Sequence, residues 1–432
     1  MRTALALPTR SAFAGVASIL LLAAAGAPVQ ASGFLIFQHG GRGTGQAGAF
    51  TARADDPSAM SYNPAALVHL DGVQAQVGLD FTTPSDTYES DAGSFDTNHE
   101  INFPPHAYLT WKPARDGRWA FGVGIDEPLF DNVSWAPKEF PGRFLTRRQE
   151  HQISELHLVS AYDLGAGWSV ALGARWAYGR IKDGRNAIQA LPAPRNAQEV
   201  ELSTTASVTG WGADASVQYK TDVWGFGAVL KSAEKVSGHG DTTLAVRPDN
   251  QPPLPPGQGI FLDSGGRKLS FEMPMQAIGG VWFAPYPELR IELDAALAQW
   301  SGTNNTYAYF PGGIAAANLT LKDRDWKDTL SLRLGVEGDI TDAVMIYGGI
   351  SLEPTPVPSS RLEPGFARGD ATVYALGASY NFPHISFDLG WSLHTMSNRN
   401  ASGQELRDPL ETGRYNSNDQ AFGFSVRWRL GS

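Results

Sequence analysis

No cysteine occurs anywhere in the 432 residues. That removes disulfide frameworks, thiolate metal sites and cysteine nucleophiles together. Charge is scarce as well: Asp, Glu, Lys and Arg make up 18% of the chain, against about 25% in ordinary soluble domains. What charge there is runs acidic, with 34 basic residues against 44 acidic and a net of −10. This is the wrong balance for a nucleic-acid surface, which needs clustered Lys and Arg. Beyond residue 70 there is no run of 18 apolar residues, so no membrane-spanning helix is written there. A mean hydropathy of −0.23 agrees. The chain also lacks a G-x-S-x-G elbow and an H-E-x-x-H zinc motif.

What the chain does hold is a secretory leader followed by alternation. Arg2 and Arg10 precede the apolar stretch from Ala12 to Ala25, and Val29-Gln30-Ala31 supplies a small-x-small cleavage site. Residues 1–31 therefore read as a signal peptide, too short for an anchor and followed by polar, Gly-rich sequence. Glycine is abundant, 47 residues, above the usual share of about 7%. In Val73 to Phe81 the odd positions are apolar and the even ones polar or Gly, and Trp119 to Asp126 repeats the pattern. In the last segment Phe422, Phe424, Val426, Trp428 and Leu430 face one way and Ser425, Arg427 and Arg429 the other. Such a period of two is a strand signal.

Fourteen segments alternate in this way, near 73–82, 106–112, 119–126, 154–164, 168–181, 204–220, 223–232, 269–284, 289–300, 326–338, 343–352, 371–382, 385–394 and 420–430. The connections between them are short and long in strict turn. An even-stranded transmembrane barrel, with tight periplasmic turns and long extracellular loops, predicts that asymmetry and puts both barrel ends on the short-turn side. A soluble all-β sandwich does not. Aromatic residues mark the same turns: Trp119, Tyr162 with Trp168, and Tyr219 with Trp224. Amphipathic rings at strand ends suit a membrane-interface girdle. The fold expected is all-β, a transmembrane antiparallel barrel over residues 71–432.

Residues 32–70 do not alternate. Gly43, Gly45 and Gly48 spell G-x-G-x-x-G, but a dinucleotide loop needs a strand before it, a sustained helix after it and parallel βαβ units around it. Here the chain runs into Asp55-Asp56-Pro57 instead. The glycines read better as a compact, tightly turning plug, a hatch inside the lumen.

Several motifs together resemble one family. They are Gly33-Phe34, Gly43 to Ala49, Ala54-Asp55-Asp56 and Asn63-Pro64-Ala65, then Trp326-Lys327-Asp328, Leu334-Gly335 and Pro354 to Pro358. The chain is similar to the FadL family of outer-membrane long-chain fatty acid transporters, which includes aromatic-hydrocarbon relatives. The resemblance implies passive uptake with no enzyme activity and no cofactor. Hydrophobic ligands would be captured among the loops, held in an inner pocket touching the N-terminus, and released sideways into the outer leaflet, past the lipopolysaccharide that blocks direct partitioning. A monomer is expected, with no nucleic-acid partner. An open porin-like barrel is the alternative, although porins need no Gly-rich plug.

The resemblance also places Lys327, in Trp-Lys-Asp, and Arg185, after Tyr178 to Gly184, where family members hold the ligand head group. Phe34 is the expected apolar contact from the N-terminus. A guanidinium can take a carboxylate bidentately and an ammonium acts as a point charge, while pairing of these cations with Asp328 or Asp183 is the plainer reading. Asn63-Pro64 is expected to seat the hatch. Asp55 and Asp56 are expected to form ion pairs with Arg53 or with wall arginines such as Arg175. His151, Glu155 and His157 share a strand face, but zinc needs three or four converging ligands, so no metal site is expected. Ser392 and His394 sit on one strand face, a conceivable exterior hydrolase pair that reads more simply as solvated polar residues.

Overall fold

The computed structural model describes residues 35–36, 38–135, 140–190, 197–246, 266–303, 305–309, 319–401 and 413–430. The expected signal peptide and Phe34 lie outside them.

Fourteen antiparallel strands form the wall. They are β1 (Gly72–Thr82), β2 (Pro105–Lys112), β3 (Trp119–Ser134), β4 (Arg148–Gly165), β5 (Trp168–Ala190) and β6 (Ala197–Lys220). Next come β7 (Trp224–Lys231, continued by Glu234–Val246), β8 (Gly266–Met273, then Met275–Tyr286), β9 (Leu289–Gln299, then Asn305–Tyr309) and β10 (Leu319–Asp323, then Thr329–Asp339). The circuit ends with β11 (Val344–Glu353), β12 (Ala371–Asn381), β13 (Ile385–Met396) and β14 (Gly413–Leu430). Each pairs with the next, and β14 returns to β1 from Val73↔Leu430 to Thr82↔Ala421. Closure satisfies every interior strand edge, which a bilayer requires. Among the described residues no helix is long and apolar enough to cross a membrane. The crossing is made by strands.

All fourteen expected segments correspond one to one with these strands. Several strands run further than the alternation reaches, most of all β5, β6 and β7 at the long-loop end. There both faces carry polar residues, because neither meets lipid.

The barrel is inside-out relative to a soluble protein. Outward positions hold Leu79, Val123, Leu172, Leu230, Leu293, Leu376 and Leu389, all exposed. Inward positions hold buried Asp80, Asp126, Glu155, Arg175, Glu292, Asp294, Arg333, Glu337 and Asp388. That reversal is the signature of lipid outside and a polar interior. At the short-turn end the rings touch in a row: Trp119 lies 4.7 Å from Tyr162, and Tyr219 lies 5.0 Å from both Trp168 and Trp224.

The N-terminal segment folds as α1 (Gly40–Gly45), α2 (Ala59–Tyr62) and a 3-10 turn over Pro64–His69. Its residues are buried almost without exception. They meet inward-facing groups of β1, β3, β9, β10, β13 and β14, so the segment occupies the barrel's interior.

Candidate functional site

Two apolar compartments lie inside the barrel with a polar belt between them. The lower one packs Phe50, Met60, Leu67 and Leu70 of the N-terminal segment against Tyr108, Ala120 and Val159. The upper one, at the long-loop end, gathers Leu129, Ile153, Phe271, Trp300, Trp326 and Phe366 with Leu35. An aqueous channel would not be built of such residues. Buried apolar side chains inside a polar-walled barrel are what a greasy solute can wet.

The belt is built of ion pairs and charged hydrogen bonds between segment and wall. Arg42 reaches Asp55 at 2.6 Å, Asp56 at 3.0 Å and Glu337 of β10 at 2.8 Å. Arg53 also reaches Glu337, at 3.0 Å. Burial alone would raise the Asp55 carboxyl, but Arg42 and Arg53 beside it hold it well below the usual carboxylate range. The backbone N–H groups of Phe50 and Thr51 donate to Asp294, and that of Ala52 to Glu292 at 2.6 Å. Asn63 caps the 3-10 turn by accepting from the Ala65 N–H, and its Nδ2 donates to the Thr51 carbonyl at 3.0 Å. Pro64 stands at the first position of that turn, where its missing N–H costs nothing. The expected partner Arg175 is elsewhere: it bonds Glu155, Asp214 and Glu234 of the wall. Asp55 and Asp56 use Arg42 in its place, a residue the sequence reading did not single out, while Asp55 also stands 3.8 Å from the expected Arg53.

The glycines act by close approach. A Cβ on Gly41 would lie 2.5 Å from the Asp388 backbone of β13, and one on Gly390 would lie 2.2 Å from the Gly41 carbonyl oxygen. A Cβ on Gly43 would meet the Tyr62 hydroxyl at 1.9 Å. Gly48 has φ +77°, a left-handed conformation.

Adjoining the upper compartment at Leu35 lies a small chamber of about 110 Å³. Leu35, Ile36, Asp80, Asp131, Arg368 and His394 are among its lining residues. Its cation is already engaged, for Arg368 stands 3.6 Å from both Asp86 and Asp131. With Glu353 and Asp419 also present, the chamber is acidic.

The remaining sequence candidates separate. Arg185 is half-buried on β5 opposite Leu202. Lys327 is exposed next to buried Trp326, and its backbone N–H donates to the Pro356 carbonyl. Asp328 accepts from the Ser301 N–H and Asp183 bonds His151, so each acid has a partner other than these cations. Glu155 and His157 do come together, joined by Asp126 rather than His151, with ligand-type atoms within 4.8 Å of one another. His157 is bonded to Asp126 at 3.0 Å and Glu155 to Arg175 at 2.9 Å, so the trio is wired into the belt. Ser392 and His394 share a 3.1 Å hydrogen bond. They face inward, and Ser392 is wholly buried, so the exterior placement expected for a hydrolase pair does not hold.

Sequence reasoning missed Arg324. Its guanidinium lies 4.6 Å from the ring centres of both Trp326 and Phe366, and the residue is 6% exposed. Burial pushes its pKa down, and Glu363 and Asp183 only partly oppose this from a distance. No local pattern announces such a site, because its aromatic walls come from separate loops.

Comparison with known proteins fits this geometry. Residues 21–430 match the model of the family described as outer membrane protein transport protein (OMPP1/FadL/TodX). A FadL homologue from Pseudomonas aeruginosa has a similar structure, with 19% identity over 92% of this chain and 99% of that one and a TM-score of 0.78. The toluene transporter TodX of P. putida gives 14% identity, 91% and 99% coverage and a TM-score of 0.72. The toluene transporter TbuX of Ralstonia pickettii gives 17%, 91% and 99%, and 0.68. No curated protein sequence matches the chain. A fourteen-strand barrel with an interior N-terminal segment and a family match over nearly its whole length make one conclusion: the chain belongs to the OMPP1/FadL/TodX family of outer-membrane transport proteins.

Proposed function

We propose that this barrel carries hydrophobic molecules passively across the outer membrane, long-chain fatty acids first, as a monomer whose residues 32–70 are its hatch. The observation that carries this reading is the buried apolar compartment at the long-loop end of an otherwise polar interior. A solute leaving water for that compartment gains about 25 cal/mol per Å² of apolar surface buried, with no chemical step required. Lys327 and Arg185 stand at the same end and offer an arriving carboxylate its first positive charges, and Phe34 precedes the Leu35 and Ile36 that line the chamber.

Release is proposed to be sideways, between β2 and β3. Their ladder covers only Ala107↔Ile125 to Trp111↔Phe121, while β3 continues to Ser134. The β3 register shifts between Asp126 and Leu129, and Pro128 within it has no N–H to donate. The Pro128 carbonyl accepts from Ile36 of the N-terminal segment at 2.8 Å, so hatch and gap are in contact. The route ends in the outer leaflet, inside the lipopolysaccharide layer.

Uptake of neutral aromatic or aliphatic hydrocarbons by the same fold is the second reading, favoured by the two relatives named as toluene transporters. A deletion strain supplied with fatty acids, alkanes and monoaromatics separates the readings. Expression of this chain should restore uptake of a hydrophobic class and leave small sugars excluded. Free passage of sugars without hydrophobic uptake would mean an open porin.

A further inference from the structure

Three side chains able to bind a metal converge where β3 and β4 face the N-terminal segment. Asp126 lies directly opposite Glu155 in the ladder and His157 follows two residues on, so the period of two turns all three inward. The His157 Nε2 stands 3.0 Å from Asp126 Oδ1 and 3.8 Å from Glu155 Oε2. One ligand atom from each residue lies within 4.8 Å of the others. Atoms so spaced surround a point about 2 Å from each, the length of zinc bonds to imidazole and carboxylate. None of the three residues is more than 2% exposed.

The bonds that leave the trio use the other oxygens. Asp126 Oδ2 accepts from the Ser61 hydroxyl of α2 and from the Tyr108 hydroxyl, and Glu155 Oε1 accepts from Arg175 at 2.9 Å. Outside donors of this kind orient a ligating carboxylate and leave its second oxygen for the ion. The His157 Nδ1 has no partner among the described residues, so the ring proton can sit there and leave Nε2 its lone pair. Charge points the same way. Asp214 and Glu234 add two carboxylates around the trio, and Arg175 and Lys231 add two cations. With Asp126 and Glu155 that makes four negative charges against two positive, a net of −2 while the imidazole is neutral. Such an excess is costly out of water until something cancels it. We propose that Asp126, Glu155 and His157 bind a divalent ion of the zinc class in place of the Asp126–His157 hydrogen bond. One nitrogen with two oxygens suits that class better than calcium or magnesium, which take oxygen alone. The ion ties β3 to β4 and, through the Asp126–Ser61 bond, ties both to α2. Asp126 is also where the β3 register begins to shift, one residue past the end of the β2–β3 ladder. The ion therefore fastens the wall beside that gap, whichever hydrophobic molecule the channel carries.

The test is zinc binding by the full chain, made without a histidine tag and refolded in detergent with and without zinc after treatment with a chelator. Zinc is added before refolding because the trio is closed off from water, and fold is checked by heat-modifiable mobility. The wild type should retain about one zinc ion per barrel once excess is removed, and residues 38–70 should resist protease longer than in the zinc-free barrel. His157→Gln and Asp126→Asn should each weaken zinc about tenfold or more. His151→Gln, on the same strand face but outside the trio, should leave zinc binding unchanged. Should the trio variants fail to fold, X-ray absorption on the zinc-loaded wild type decides. One imidazole with oxygen ligands is the expected shell, and a shell of oxygen alone or of several imidazoles would overturn the site. No retained zinc, or equal retention by His157→Gln, would overturn it too, and the carboxylate excess would then be met by shared protons.

Discussion

Arg42 ties three carboxylates from two parts of the chain, and its removal tests how the belt is held. Arg42→Met should destabilise docking of the N-terminal segment by about 3 kcal/mol, because Asp56 and part of Glu337 are left charged, buried and short of a partner. Protease cleavage within residues 38–70 of the folded barrel is the measurement, and unchanged protection would show that Arg53 suffices. His39 gives a pH dependence. Burial lowers its pKa from the ordinary 6.5, with Asp126 and Asp80 opposing and His106 and Lys231 assisting. A lowered pKa means the docked state favours the neutral ring. Its contribution is complete above about pH 6.5 and is lost as pH falls through the lower docked value. Segment protection should therefore weaken on mild acidification, and His39→Gln should flatten that response. At this scale the sequence was legible where chemistry is local: Asn63 next to Pro64 announces a capped turn. Arg42 and Arg324 were not legible: the carboxylates on Arg42 lie 13 to 295 positions away, and beside nearby Trp326 Arg324 needs Phe366 from another loop.

Strands were the most legible elements, for a physical reason. Lipid on one side and polar groups on the other impose a period of two wherever the wall crosses the bilayer. The same reason explains what was missed: above the bilayer the alternation fades although β5 to β7 continue. The two short helices are buried all round, so neither shows a periodic face. The glycines of α1 were visible, but the surface they approach was not. Gly390→Ala puts a methyl into the Gly41 carbonyl and should force α1 away from β13, at about 1–3 kcal/mol. The barrel itself should still insert and show heat-modifiable mobility. If segment protection in this variant equals the wild type, the close approach has no energetic weight.

Across the whole molecule, what fills the lumen decides what passes. A fourteen-strand barrel lies between those filled by their own side chains and those wide enough for water. Deleting residues 33–70, with residues 1–32 kept, should turn the protein into an ion-conducting pore in planar bilayers. Unchanged conductance from an inserted barrel would refute the hatch. The N-terminal segment also straddles the seam where the first and last strands of the barrel meet. The Gly40 N–H and the Thr44 hydroxyl donate to Asp80 of β1, while the Gly41 N–H donates to Ser425 of β14. Those strands are the first and last of the wall to leave the ribosome. A segment bonded to both is expected to act as a clasp during assembly, holding the first strand until the last arrives. The same deletion should then slow ring closure into lipid vesicles even where the finished wall is intact. Equal folding rates with and without the segment would mean that the seam finds itself unaided.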